Sequence, residues 1–142
     1  MNTLYTAEAI STGSGRNGHV RSDDGRVDLE MAIPKSMGGS GEGSNPEQLF
    51  AAGYAACFHS ALHMVARSKK LDVSGSTVGG RVQIGPKADG EVGFTLAVLL
   101  EVVLPGIDGD TAQQLADAAH EVCPYSNATR GNIEVTIAVS DD

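Results

Sequence analysis

A chain of 142 residues that is 41% hydrophobic is long enough for one domain with a real core, too short for two ordinary ones and too apolar for disorder. A formal net charge of −8, with no basic patch interleaved with aromatics, argues against nucleic acid and anionic membrane surfaces as partners. Met1–Thr6 has no basic and apolar leader, and no apolar run approaches the roughly 20 residues of a membrane span, so a single cytoplasmic domain over residues 1–142 is expected.

Tyr5–Thr12 reads as a first strand, followed by the turn Gly13-Ser14-Gly15-Arg16-Asn17-Gly18, whose Asn-Gly pair is a strong hairpin signal. His19–Ser22 and Arg26–Ala32 are short strands around a second turn at Asp23-Asp24-Gly25. The Gly- and Ser-rich stretch from Pro34 to Ser44 is a loop, open to a flexible or a functional reading. Asn45 then caps a long helix, with Pro46 at its first position and Gln48 completing a capping-box-like pattern, running to about Lys69.

The first half of that helix is apolar or small nearly all round, with Ala51, Ala52, Gly53, Ala55 and Ala56, so burial on most sides is expected. A chain this short can hardly surround it, which points to a homodimer in which a partner subunit covers part of it. Thr77–Ile84 and Phe94–Leu104 are strands, the second a near-continuous apolar run that should be buried on both faces. Asp110 starts a second helix that ends at Cys123, before Pro124. Ile133, Val135, Ile137 and Val139 alternate with other residues in a last, half-buried strand. The order of elements is that of an α+β fold.

The chemistry lies with two cysteines, Cys57 in the long helix and Cys123 at the end of the second. In a reducing compartment a permanent structural disulfide is disfavoured, whereas a transient catalytic one is allowed. Two buried thiols on separate segments suit a catalytic dithiol, in which one thiolate meets an oxidant and the other resolves the product. A free thiol has a pKa near 8.5, and burial raises it, so a reactive Cys57 needs a cation.

Arg16, in its Gly-flanked turn, and Arg130, close to Cys123, are the two candidates, with Arg16 preferred. An arginine in an apolar site needs its own anion, and Glu47 is the only acid in the apolar half of the helix. Glu47 and Cys57 lie ten residues apart, about 15 Å along a continuous helix. They meet in one site if the helix breaks near Gly53 or if Glu47 comes from a partner chain.

Other readings compete. His59 and His63, with His120 and Cys123, offer helical spacings seen in zinc sites, but no Glu follows His59 as in H-E-x-x-H and there is no second cysteine pair, so no metal is expected. In a non-catalytic reading, the protein is a small-molecule-binding dimer whose cysteines merely pack.

The segment Asn45-Pro46-Glu47-Gln48-Leu49-Phe50-Ala51-Ala52-Gly53-Tyr54-Ala55-Ala56-Cys57-Phe58 resembles the first-cysteine motif of the organic hydroperoxide resistance proteins (Ohr), a branch of the Ohr/OsmC family. Val122-Cys123-Pro124-Tyr125-Ser126-Asn127-Ala128-Thr129-Arg130-Gly131-Asn132 resembles the second-cysteine motif, and Gly15-Arg16-Asn17-Gly18 the arginine turn.

The resemblance implies an Ohr/OsmC-like fold of antiparallel sheets around a long central helix, in an intertwined homodimer. It implies a thiol peroxidase that reduces organic hydroperoxides to alcohols without a cofactor and is recycled by dihydrolipoyl groups of lipoylated proteins. Cys57 matches the peroxidatic cysteine, Cys123 the resolving one, Arg16 the arginine that stabilises the thiolate and Glu47 the carboxylate that holds it. An apolar wall from Leu49, Phe50, Ala51 and Phe58 would then suit alkyl chains.

Overall fold

Two three-stranded sheets and one long helix organise the computed structural model, which describes residues 1–142. The chain divides into two compact units, Met1–Leu49 and Phe50–Asp142.

In the first unit β1 (Ala9–Thr12), β2 (His19–Ser22) and β3 (Asp28–Glu30) form an antiparallel sheet in that order. The outer strands are shorter than the sequence suggested. Arg26 and Val27 belong to the turn, where their N–H groups donate to the Asp24 carboxylate and the Ser22 hydroxyl. Met31 N–H still donates to the Gly18 carbonyl, but Met31 also bridges to Ser44, whose carbonyl accepts from Ala32. The Gly- and Ser-rich loop is therefore closed, with a further bond from Gly41 N–H to the Ile33 carbonyl. A Cβ on Gly39 would fall 2.0 Å from that same carbonyl oxygen, so glycine is required there. The only buried residues of this unit are Met31, Ala32 and Asn45.

The long helix α1 (Pro46–Ser68) begins in the first unit and continues into the second. Asn45 Oδ1 accepts from Gln48 N–H at 2.8 Å, the cap expected at this boundary. The helix is unbroken through Gly53, so the break considered as a way to unite Glu47 and Cys57 does not occur. Its buried residues, Tyr54, Phe58, Ala61, Leu62, Val65 and Ala66, recur at helical spacing and make one stripe. Ala52 and Ala56 are exposed, so burial on most sides is corrected to burial of one face in the single chain. By length and composition α1 could cross a membrane, but its apolar stripe forms the core of the second unit.

β4 (Thr77–Pro86) and β5 (Phe94–Val103) form a hairpin, and β6 (Glu134–Ser140) pairs with β5. This last pairing is parallel, which corrects the expectation of antiparallel sheets throughout. The cause is the connection: α2 (Gly109–Val122) and α3 (Pro124–Thr129) lie between β5 and β6, and a helical crossover returns the chain in the same direction.

Val98, Leu100 and Val102 of β5 are buried, while Leu99 is half-buried and Glu101 exposed. The strand thus has one core face rather than two, and Arg81 pairs with Glu101 at 3.4 Å on the open face. Tyr54, Phe58 and Leu62 of α1 join these β5 residues and Ala112, Leu115 and Ala119 of α2 in one core. α3 was not foreseen. Pro124 does not end helicity but starts a new helix at the position where its missing N–H costs nothing.

Gly80 lets α1 approach β4: a Cβ there would lie 2.6 Å from the Ala51 carbonyl oxygen. Because the obstacle is backbone, Gly80→Ala should destabilise the protein by about 1–3 kcal/mol. Urea unfolding of the variant against the parent chain measures this.

Candidate functional site

Cys57 sits on α1, and Cys123 is the single residue joining α2 to α3. At φ −64° and ψ 122° Cys123 ends one helix and begins the next. Its N–H donates to the Ala119 carbonyl, and its own carbonyl accepts from Asn127 N–H. Both cysteines are free thiols, Cys57 half-buried and Cys123 fully buried.

The Cys123 thiol donates to the Cys57 sulfur at 3.5 Å. A disulfide needs about 2.05 Å, so the two sulfurs are in contact and short of a bond. Burial pushes the Cys57 thiol up. A hydrogen bond from the Tyr125 backbone N–H acts against this, and the neighbouring Cys123 adds a smaller upward push. A thiol held up in this way attacks slowly at neutral pH unless a cation joins it.

Aromatic rings cluster on the elements that carry the thiols, α1 and α3. Phe50, Tyr54 and Tyr125 stack by edges and tilts with ring centroids 5.7–6.2 Å apart. Tyr125 also lies over Gly53, where an added Cβ would stand 3.2 Å from its hydroxyl oxygen. Tyr125 escaped the sequence reading, although its place two residues after Cys123, just inside a proline-started helix, was the available signal. Of the expected apolar wall, Leu49 is exposed and Phe50 and Ala51 are half-buried. Phe58 has no exposed surface and belongs to the core, so it is removed from the set of substrate contacts. Four residues after Tyr54 and four before Leu62, it falls on the buried stripe.

In the first unit, Arg16 stands in a 3-10 turn (Gly15–Asn17) of the β1–β2 connection. Gly18 closes this turn, since a Cβ there would lie 2.1 Å from the Thr12 carbonyl oxygen. The Arg16 guanidinium donates through Nη1 to Glu47 Oε2 at 2.8 Å and through Nη2 to Glu47 Oε1 at 2.7 Å. This bidentate pair holds the Glu47 carboxyl below the usual carboxylate range and raises Arg16.

Arg130, the other candidate cation, is committed elsewhere. It donates to Asn127 Oδ1 at 2.8 Å and to the His120 carbonyl at 2.5 Å, bracing the end of α2. The histidines do not gather into a ligand set. His59 Nε2 bonds the Ser76 hydroxyl at 3.0 Å, His120 Nδ1 bonds Ser126, and no group of three His, Cys, Asp or Glu side chains is placed to hold a metal ion.

Residues 39–138 match the family model of OsmC-like proteins. The chain is 48% identical to an organic hydroperoxide resistance protein of Xanthomonas axonopodis pv. citri, covering 96% of this chain and 95% of that one. It is 45% identical to the organic hydroperoxide resistance protein OhrB of Bacillus subtilis, covering 94% and 96%. A crystal structure of an organic hydroperoxide resistance protein from Elizabethkingia anophelis superposes with a TM-score of 0.93, at 51% identity and full coverage of both chains.

The Arg16–Glu47 pair generates a pH prediction. Because the folded-state pKa of Glu47 is depressed, its stabilisation is complete above the unfolded value of about 4.3. It is lost as pH falls through the lower folded value. Arg16 is about a third exposed, so the gain is about 1 kcal/mol or less. The stability difference between the parent chain and Glu47→Gln should be constant above about pH 5 and shrink on acidification, as denaturant melts across pH would show.

Proposed function

The chain belongs to the OsmC-like family, among the organic hydroperoxide resistance proteins, and on that premise we propose that it is a thiol peroxidase that reduces organic hydroperoxides to alcohols. The observation that carries this reading is the 3.5 Å contact between the Cys57 and Cys123 sulfurs. The difference in burial favours Cys57 as the thiol that meets the peroxide. Cys123 has no exposed surface from which to do so.

In the proposed cycle the Cys57 thiolate attacks the hydroperoxide oxygen distal to the alkyl group, and the O–O bond breaks. The alkyl side leaves as an alkoxide that takes up a proton to become the alcohol, and Cys57 becomes a sulfenic acid. The Cys123 thiol then condenses with it, forming the S–S bond and releasing water. A dithiol such as a dihydrolipoyl group restores both thiols and is itself oxidised to a cyclic disulfide.

The thiolate requires a cation, and we assign Arg16 to that role. Glu47 takes one N–H from each terminal nitrogen of Arg16, leaving three of the five donors for sulfur and peroxide oxygens. The commitment of Arg130 to Asn127 and His120 supports the choice. Leu49, Phe50 and Tyr125 are the apolar contacts proposed for the alkyl group. No metal or cofactor takes part, and the reducing cytoplasm is the compartment that suits the free thiols.

We also propose a homodimer. Its support is the exposed small-residue face of α1 at Ala52 and Ala56, the thin core of the first unit, and the exposed Leu4, Tyr5 and Ile10. Light scattering of the eluting protein should give about twice the 14.6 kDa chain mass; a monomer at all concentrations would refute this arrangement.

One equivalent of cumene hydroperoxide should remove two hydrogens and link Cys57 to Cys123 in the mass spectrum. No change would favour a non-catalytic binder. Cys57→Ser should abolish turnover, whereas Cys123→Ser should allow one attack and leave Cys57 as a sulfenate open to overoxidation. Arg16→Ala should move the pH midpoint of Cys57 alkylation upward and slow attack roughly 100-fold. An unchanged alkylation profile would remove Arg16 from the mechanism.

A further inference from the structure

A chain of polar side chains links the three helices that meet at the two cysteines, in otherwise apolar surroundings. Tyr54 on α1 and Ser126 on α3 are fully buried, and Thr129 on α3 nearly so. The Tyr54 hydroxyl lies 2.8 Å from Ser126 Oγ and 3.1 Å from Thr129 Oγ1. Ser126 Oγ lies 2.7 Å from His120 Nδ1 on α2. Thr129 Oγ1 donates to the Ser126 carbonyl at 3.3 Å.

Each hydroxyl has one proton to give, and only one direction satisfies all four contacts. His120 Nδ1–H donates to Ser126, Ser126 to Tyr54, Tyr54 to Thr129, and Thr129 to the Ser126 carbonyl. The chain therefore selects the Nδ1–H tautomer of His120. Burial and the nearby Arg130 lower the pKa of His120 and favour its neutral form.

The spacing ties this chain to the thiols. Tyr54 is three residues before Cys57, His120 three before Cys123 and Ser126 three after Cys123. Each anchor is thus about one helical turn from a sulfur-bearing residue. Cys123 is the only residue between α2 and α3, so the angle between those helices aims its sulfur. Besides the backbone bonds at the elbow and the bond from Arg130 to the His120 carbonyl, the His120–Ser126 bond spans that angle, and Tyr54 fastens it to α1. The same arrangement holds the Tyr125 N–H that bonds the Cys57 sulfur.

Resting on the peroxidase reading, we infer that Tyr54, Ser126 and His120 are positioning residues for the resolving step: a one-way hydrogen-bond chain, running from half-buried His120 into the core, that sets Cys123 against Cys57. A packed apolar set could fill the same volume, but directional bonds fix an angle as well as a volume.

Tyr54→Phe keeps the ring and removes the bond. It should slow disulfide formation, followed by quenched-flow alkylation, at least tenfold, while the oxidation rate of Cys57 stays within threefold. Under excess cumene hydroperoxide the overoxidised fraction of Cys57 should rise. In a glutathione redox buffer the equilibrium constant for the disulfide should fall about tenfold, a shift near 30 mV.

Nitrogen NMR should find His120 as the Nδ1–H tautomer in the parent chain and not in Tyr54→Phe. Ser126→Ala should reproduce the slow resolution, also where Tyr54→Phe folds poorly, and Ser126→Thr, which keeps a hydroxyl, should restore it. Unaltered resolution and an unaltered glutathione equilibrium in folded Tyr54→Phe or Ser126→Ala overturn the inference. If the parent chain forms no disulfide with the hydroperoxide, the peroxidase reading fails instead, and the glutathione equilibrium still decides whether the chain positions the thiols.

Discussion

Two sulfur atoms in van der Waals contact, one on the middle of a long helix and one at the elbow of two shorter ones, are the constraint around which the second unit is arranged. A contact of 3.5 Å between groups 66 residues apart in sequence is maintained against chain entropy by the elements that carry them. α1 is locked by its apolar stripe and by the approach of Ala51 to Gly80, which only glycine permits. α2 is locked by Leu115, Ala116 and Ala119 and opened by the Asp108 cap.

The same burial that brings the sulfurs together opposes their reactivity. Desolvation disfavours a thiolate, and one backbone N–H offsets only part of that cost. The proposed answer is a permanent cation that is itself neutralised by a carboxylate. The carboxylate spares the arginine an unpaired charge, and the planar fork leaves donors over. A bidentate Arg16–Glu47 pair has this form. A lysine would bring the charge without the fork, and its donors would not hold two acceptors in fixed relation.

Much of this was legible in the residues. Asn45-Pro46 marked the start of α1, and the alternation of Ile133, Val135, Ile137 and Val139 marked β6, because capping and burial act on neighbours in sequence. What was not legible depended on direction and distance. The alternation that reveals a strand is the same whichever way it runs, so the parallel pairing of β6 followed only from the crossover. Pro124 disfavours a helical residue before it and favours a helix after it, and the second effect starts α3. Phe58, expected in the apolar wall, is the neighbour of Cys57 in sequence. In a helix, adjacent residues point about 100° apart, and the phase set by Tyr54 and Leu62 sends Phe58 into the core while Cys57 stays half-buried.

That phase difference also bears on the order of events at the two thiols. A residue on the core stripe of α1 would be closed to any dissolved oxidant, and a residue on the opposite face would be out of reach of α2 and α3. Cys57 occupies the margin of the stripe, half-buried, with its sulfur against that of Cys123. Cys123 has no exposed surface. In the proposed cycle, this asymmetry lets one thiol be attacked from outside and then answered from inside. It requires that the inner thiol be held in place beforehand, since a sulfenate that waits for its partner is open to a second oxidant molecule.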